Sequence, residues 1–535
     1  MDNTNNRHSS AIAGAYRMKT QGNLKPVFFA LALCLFLSSC SIFPEGINLD
    51  PNEVTDKQMQ VKNYKIGANI LALEGLVVPI EEHMYQFIES LSGGPFAGYI
   101  GCATQFEAKF ETYNPSSDWR KCPFADVITE TYAPYRAVVN GTDDPVSLAL
   151  ATLLKVAIMH RVTDTYGPIP YSALEGNDEI YVGYDTQEQV YMKMFEELDY
   201  VIDILKDNVT LGTDAWSNYD SVYYGDISKW AKYAASLKLR MAMRLSYVKP
   251  DLAREKAAEA IASGLISSNA ENAAMHATEN RMTLIYNDWE DHRVGRDLIN
   301  YMNGYEDPRR AKMFTTVQMG SGNNRHQGYN GVPIGMRTTL HESIVKSFSN
   351  MIVTSDTPYM WFCAAESAFL RAEYELRWGS ETSAAEWYKK GIELSFEERG
   401  ATGAAEYAAD ASRVPEGGKS DITIAWQPGS FERNLERIIT QKWIAIFPLG
   451  NEGWSERRRT GYPKLYPVED DLSGGTVDVN EGACRLTYPV EEYALNRANL
   501  DAAIVMLNDE TPQGSGFSGD IMGTKLWWDC KVLSE

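Results

Sequence analysis

The chain has 535 residues, 44% hydrophobic and 23% charged, the balance of a soluble globular protein with ample material for a core. Its formal charge of −22 argues against nucleic acid as a partner, because phosphate binding needs clustered lysine and arginine. The same charge opposes electrostatic attachment of the protein surface to anionic lipid.

In chain order the first element is KPVFFALALCLFLSSC (25–40), read as the only strongly apolar run. It is too short for the ~20 apolar residues of a bilayer-spanning helix. Lys19 and Lys25 ahead of it, the apolar stretch and the break at Leu37-Ser38-Ser39 match a secretory signal. The pattern resembles the lipobox of bacterial lipoproteins, in which the cysteine thiol is acylated and becomes the new N-terminus. Cys40 is therefore the expected lipid attachment, 1–39 the expected signal peptide with Met18 as a more natural start, and 40–535 the mature domain. Residues 1–39 hold four basic side chains and one acidic one, so the mature part carries −25.

Amphipathic helices then follow in pairs. LALATLLKVAIMHRV (148–162) is the expected partner of 186–207, which opens with a capping box, Thr186 and Gln189. Val190, Met194, Leu198, Val201, Ile202 and Leu205 fall on one face of the latter. A second pair spans 228–248 and 251–266, with Pro250 at the join and Gly264 as a stop. A third places Trp361, Ala365, Ala368, Phe369, Ala372 and Leu376 on one stripe. Ala384, Trp387, Tyr388, Ile392 and Phe396 form its partner stripe. The helix at 434–450 is expected to pack on this third pair. Small alanines beside aromatics, in units of roughly 35 residues, resemble tetratricopeptide pairs, which must stack to bury their faces.

Trp230, Trp361 and Trp387 are expected in the core, and Trp527 and Trp528 in a structural role. Between the helices lie 91–147, 208–225, 267–345 and 399–432, rich in Gly, Asn, Ser, Asp and aromatics. Long insertions on a rigid frame are where binding usually resides. Four rings there sit between turn-forming residues and off any helical stripe. They are Tyr113 and Trp119 in ETYNPSSDWRKC, Trp289 in IYNDWEDHR and Tyr329 in NNRHQGYNG, the candidate ligand platforms.

Searches for catalytic and metal motifs find no HExxH, GxSxG or Walker A pattern. Gly514, Gly516 and Gly519 fit GxGxxG without a strand before or a helix after, and read as a surface loop. None of the seven histidines pairs at i, i+4, so no metal or cofactor is expected. Cys102, Cys122, Cys363, Cys484 and Cys530 remain after processing, with neither CxxC spacing nor disulfide-scaffold density. Export would permit a Cys102–Cys122 bridge, and the odd count leaves a thiol free. GNEGWSERRRTGYPKLYP (450–467) reads as an anion site or an ion-pair network. Glu452 and Glu456 inside the motif favour the network.

Several segments together carry a family resemblance: NLDPNEV (48–54), YGPIPYS (166–172), YDSVYYGDISKWAKYAASLKLRMAMRL (219–245), YEDPRRAKMF (305–314), PYMWFCAAESAFLRAEYELRWG (358–379), 431–465, RLTYPVEEYALNRANL (485–500) and KLWWD (525–529). Ordered along the mature chain, they make it similar to the SusD/RagB family of outer-membrane lipoproteins of Bacteroidetes. Ala235 stands where such sequences carry an asparagine. The resemblance implies a mainly α-helical fold with about four tetratricopeptide-like pairs supporting long irregular, aromatic-rich insertions. It also implies a surface-exposed, lipid-anchored binder of oligosaccharide or peptide nutrients, not an enzyme, that delivers them to a SusC-like TonB-dependent transporter. A secreted glycoside hydrolase, with a facing carboxylate pair, and a helical-repeat scaffold for another protein are the alternatives.

Overall fold

A computed structural model describes residues 64–104, 106, 108–175, 181–209, 218–337 and 341–531. Cys40 and the expected signal peptide lie outside the described residues. Among the described residues, four helix pairs form the frame. α1 (Tyr64–Val77) leads to α2 (Glu82–Tyr85), which runs on as a π-helical stretch, Gln86–Gly93. α3 (Val127–Val139) returns against α1. α4 (Pro145–Tyr166) pairs with α5 (Gln187–Asp207), and α6 (Ile227–Arg244) with α7 (Pro250–Ser263). α8 (Ala364–Trp378) pairs with α9 (Glu381–Glu398). Contacts of α1 and α3 with α4, of α5 with α6, and of α6 with α8 stack the pairs in chain order.

Local chemistry sets the boundaries. The Thr186–Gln189 capping box opens α5 as expected. Pro145 sits in the first turn of α4 behind Asp144, whose carboxylate accepts from Ser147 N at 2.8 Å. Gly264 ends α7 at φ +91°, a conformation open to glycine. α4 is itself long and apolar enough to cross a membrane. Of its most apolar window, however, 83% is buried in the protein, so it is the central core helix. The run before Cys40 is thus not the only strongly apolar one.

Two further expectations change. Trp361 is a core residue but not helical: it lies on β6 of three short antiparallel ladders. These are β1 (Ile100–Cys102) with β3 (His292–Val294), β2 (Ala273–Met275) with β6 (Tyr359–Phe362), and β4 (Val317–Met319) with β5 (His326–Gly328). Trp387 is only half-buried, with the Arg371 guanidinium 5.2 Å from its ring centre. Trp230 and Trp528 are fully buried, and Trp527 nearly so. The five described cysteines are unbridged, Cys102 and Cys122 included.

α10 (Phe431–Ile446) packs on α8 and α9, and α11 (Gly450–Thr460) on the π-helical stretch. The last contact is backbone to backbone: a Cβ on Gly450 would lie 2.3 Å from Gly94 N, and one on Gly93 2.4 Å from Asn451 N. Asn451 N donates to Glu89 across the same joint at 3.1 Å.

The expected ion-pair network is present and buried, but of the motif's Arg457, Arg458 and Arg459 only Arg459 joins Glu452 and Glu456 in it. Arg244 on α6 meets Asp164 on α4 at 3.2 Å and Glu452 on α11 at 2.6 Å, and also pairs with Glu456. Arg240 grips Glu366 on α8 through two bonds of 2.7 and 2.8 Å. Arg459 bridges Glu373 and Glu456, both at 2.7 Å, and Lys442 on α10 lies 3.0 Å from Glu456. Burial alone would push the Glu456 carboxyl up. The charges of Arg459, Lys442 and Arg244 outweigh it and hold that carboxyl well below the usual range. The same contest leaves Glu452 and Glu373 lowered.

Breaking a buried pair strands the partner's charge. Glu456→Ala is expected to cost about 3–5 kcal/mol in denaturant unfolding. A loss under about 1 kcal/mol would contradict the network's role. Because folding depresses these carboxyls, their contribution is complete above the unfolded value near ~4.3 and is lost as pH falls through the lower folded values. The network's own share of stability, read as the difference in melting temperature between wild type and Glu456→Ala, is expected to be flat in pH down to about 4.5 and to fall below it, separate from the loss that buried neutral histidines bring as pH drops below ~6.5.

Candidate functional site

The ladder β1–β3 joins two insertions that the sequence keeps far apart, with Ile100 opposite Val294 and Cys102 opposite His292. Just beyond it, Ala103 N donates to Asp291 O at 2.7 Å and Thr104 Oγ1 to the Asp291 carboxylate at 2.5 Å. Gln86 on the π-helical stretch donates to the other Asp291 oxygen at 2.9 Å. Three segments, 82–93, 100–119 and 281–294, therefore converge on one carboxylate. His292 is buried beneath them, and burial lowers its imidazole to about 4, so it is neutral at ordinary pH.

Two of the four sequence-predicted rings come together on this base. Trp289 stacks on His83, centroids 5.4 Å apart and planes 18° from parallel. Trp119 packs on Phe87, 5.7 Å away. His83 and Phe87 are four residues apart, so the two tryptophans rest on successive turns of one helical segment. Ser116 caps the short helix Ser117–Lys121 that carries Trp119, accepting from Trp119 N at 3.3 Å. Phe106 and Phe110 complete its surround at 5.1 and 5.8 Å. Trp289 is 36% exposed, Trp119 and Phe87 half-buried, and His83 exposed. The result is an open aromatic patch ringed by Glu82, Arg281, Thr104 and Asp291.

Tyr113 is not such a platform. It is buried at 7% exposure, its ring packs on Phe96 at 6.2 Å, and its φ of +63° belongs to the turn that sets Phe110 under Trp119. Burial pushes its hydroxyl up to about 12. Tyr113 is a loop anchor. Tyr329 lies elsewhere, half-buried after β5, with the Arg310 guanidinium 5.3 Å from its ring centre and Asn303 bonded to its carbonyl. Among the described residues no ring contact links it to the other three.

Sequence reasoning missed His83, Phe87 and Phe106. Phe87 lies in the π-helical stretch and His83 in the single α turn just before it, so no regular 3.6-residue period runs through both to show an aromatic face. One group of metal-type donors, Glu81, Glu82 and His83, gathers within 4.8 Å at the start of α2. Glu81 is occupied capping Met84 N at 2.7 Å, and Glu82 pairs with Arg281 at 3.0 Å.

A family model described as Susd and RagB outer membrane lipoprotein matches residues 46–529. The chain belongs to the SusD-like family. Its fold is similar to a SusD homolog from Bacteroides thetaiotaomicron at 46% identity and TM-score 0.82, over 88% of this chain and 100% of the other. A SusD homolog from Bacteroides ovatus follows at 38% identity and TM-score 0.82, covering 88% and 99%. A chitin-binding SusD homolog from Flavobacterium johnsoniae is 32% identical at TM-score 0.79, covering 87% and 99%. No curated protein matches the chain.

The SusD-like assignment fits the chemistry of the patch. Three of its carboxylates are engaged, Glu82 by Arg281, Glu290 by Arg293 at 2.6 Å and Asp291 by Thr104 and Gln86. Such an arrangement offers stacking faces and fixed polar groups for recognition. Burial also predicts how the two tryptophans divide their duties. Trp119→Ala is expected to cost about 2 kcal/mol or more in stability, because three phenylalanines lose their partner. Trp289→Ala should cost under about 1 kcal/mol. Parallel thermal melts check this, and the reverse order would contradict the reading of Trp119 as the packed ring and Trp289 as the exposed one.

Proposed function

We propose that the mature chain, 40–535, captures oligosaccharide at the Trp119–Trp289 patch and delivers it to a SusC-like TonB-dependent transporter. The supporting observation is the pair of tryptophans set on successive turns of one helical segment, with polar groups around the rim. Sugar rings present apolar C–H faces and equatorial hydroxyls, so they stack on indole while Thr104, Asp291 and Arg281 meet the hydroxyls. Capture before transport needs reversible binding, Kd ~1 mM to 1 μM, or roughly 4–8 kcal/mol. Two stacked rings and a few hydrogen bonds are on that scale.

The chitin-binding relative makes chito-oligosaccharides the first probe. Calorimetry against chito-, malto- and xylo-oligosaccharides and mixed peptides tests the reading. Trp289→Ala is expected to weaken the bound sugar at least about tenfold, some 1.4 kcal/mol, with the fold intact. Tyr329→Ala, outlying, should weaken it less, and Tyr113→Ala should act on the melting temperature first. Unchanged binding in the Trp289 variant would overturn the site. Cleavage of any panel member would replace capture with hydrolysis.

Attachment completes the proposal. Each buried CH₂ of an acyl chain contributes ~0.8 kcal/mol, so acylation of Cys40 holds a −25 protein at the outer membrane against charge repulsion. Cys40→Ala is expected to release the protein from membranes. Mild-detergent purification of the wild type should recover a large β-barrel partner. A mature N-terminus away from Cys40, or recovery always alone, would contradict this part.

A further inference from the structure

A second site lies at the far end of α11. A cavity of about 280 Å³ opens between that helix's last turn, the 463–465 segment, the 480–484 turn and the C-terminal 525–531 segment. No residue of the aromatic patch lines it. Six cations do: Lys419, Arg457, Arg458, Lys464, Lys525 and Lys531, against two acids, Glu481 and Asp529. In a chain with 72 acidic and 50 basic residues, such an excess on one wall is the reverse of the overall balance.

Most buried cations of this protein are tied to carboxylates, as in the network above. Here Lys525 pairs with Glu481 at 3.1 Å and Lys531 with Glu432. Lys419, Arg457, Arg458 and Lys464 have no carboxylate within 4.0 Å among the described residues. Arg458 is the built element. It is buried, its guanidinium lies 3.8 Å from the centre of the Trp454 ring and 4.8 Å from that of Trp528, and it donates to Cys484 O at 2.7 Å and Ser455 Oγ at 2.9 Å. Arg457 makes only a 3.3 Å bond, to Asn480 O. Asp529 is 3% exposed, and among the described residues its carboxylate accepts no hydrogen bond. Burial pushes it up to about 6.

A helix C-terminus favours cations through its dipole, which accounts for Arg457 and Arg458. It does not account for Lys419, Lys464, Lys525 and Lys531 arriving from other segments. The motif around 450–467 thus divides: Arg459 faces the buried network, while Arg457 and Arg458 face the cavity.

We propose that this cavity binds a single sugar-acid residue, its carboxylate held by Arg457, Arg458 and Lys464 and its hydroxyls by Asp529, Glu481 and the Asn480 side chain. Planar guanidinium matches a carboxylate with two parallel bonds. The Asp529 carboxylate, with no hydrogen bond among the described residues, and the Lys525-paired Glu481 beside it supply acceptors that distinguish a polyhydroxy acid from a bare anion. The volume, just below the usual range for drug-sized ligands, suits one ring.

The test uses the mature protein and D-galacturonate, with D-galactose and inorganic phosphate as the other arms, in calorimetry at low and moderate salt. Galacturonate is expected to bind at least tenfold tighter than galactose and to weaken as salt rises. Arg457→Gln with Lys464→Gln should reduce its affinity at least tenfold, while Trp289→Ala leaves it unchanged, which separates this site from the aromatic patch. Lys464 is exposed, so the single Lys464→Gln variant, expected to lose several-fold, serves if the double variant melts early. Equal binding of galactose, unchanged galacturonate affinity in the variants, or binding of phosphate but not galacturonate would each overturn the proposal.

Discussion

The structure depends on one constraint: charges buried between the helices must all find partners at once. Arg240 and Arg244 on α6 reach α4, α8 and α11, while Lys442 on α10 and Arg459 on α11 close the circuit through Glu456 and Glu373. Replacing such pairs with apolar residues is often neutral or stabilising, so their worth lies in what they forbid. A slip of one helical turn between α6 and α11 would leave several kcal/mol of uncompensated charge on each side. Stacked helix pairs alone can slide over smooth alanine faces. The network penalises such slips.

That arrangement extends to the ligand face through small residues. α11 begins at Gly450, whose missing side chain admits the backbone of Gly93 and Gly94, and Asn451 N is bonded to Glu89. The π-helical stretch is therefore clamped from below, and the rings it carries are presented from a fixed base. The two insertions are in turn tied to it by Asp291 and the β1–β3 ladder. A candidate site preorganised in this way would lose little freedom on binding, as the proposed weak, reversible capture requires.

Local signals were legible in the chain and non-local ones were not. The Thr186–Gln189 box and the Pro250 and Gly264 punctuation act within a few residues, and each stands where the pattern placed it. The α1–α3 pair escaped notice because a long insertion separates its members and Pro134 lies inside the second. The i, i+4 spacing of Trp361 and Ala365 imitates a helical stripe. The real partner of Trp361 is a strand far upstream, at 273–275. At the candidate site, turn-flanked aromatics pointed to Trp119 and Trp289, but the same rule also selected Tyr113. Its 7% exposure and its packing on Phe96, at a left-handed turn, show that this ring turns inward. The basic cavity had a trace in the Arg457–Arg459 run, whereas its lysines come from segments that no local pattern unites.

Hydrogen exchange of wild type and Glu456→Ala side by side measures whether the buried charges hold the aromatic patch in place. Removing that carboxylate should speed exchange in α11 and, through the Gly450–Gly93 contact, in 86–93 beneath the tryptophans, while α5 and α7 keep their wild-type rates. If α11 loosens and 86–93 exchanges as slowly as before, the network supports the frame but not the site.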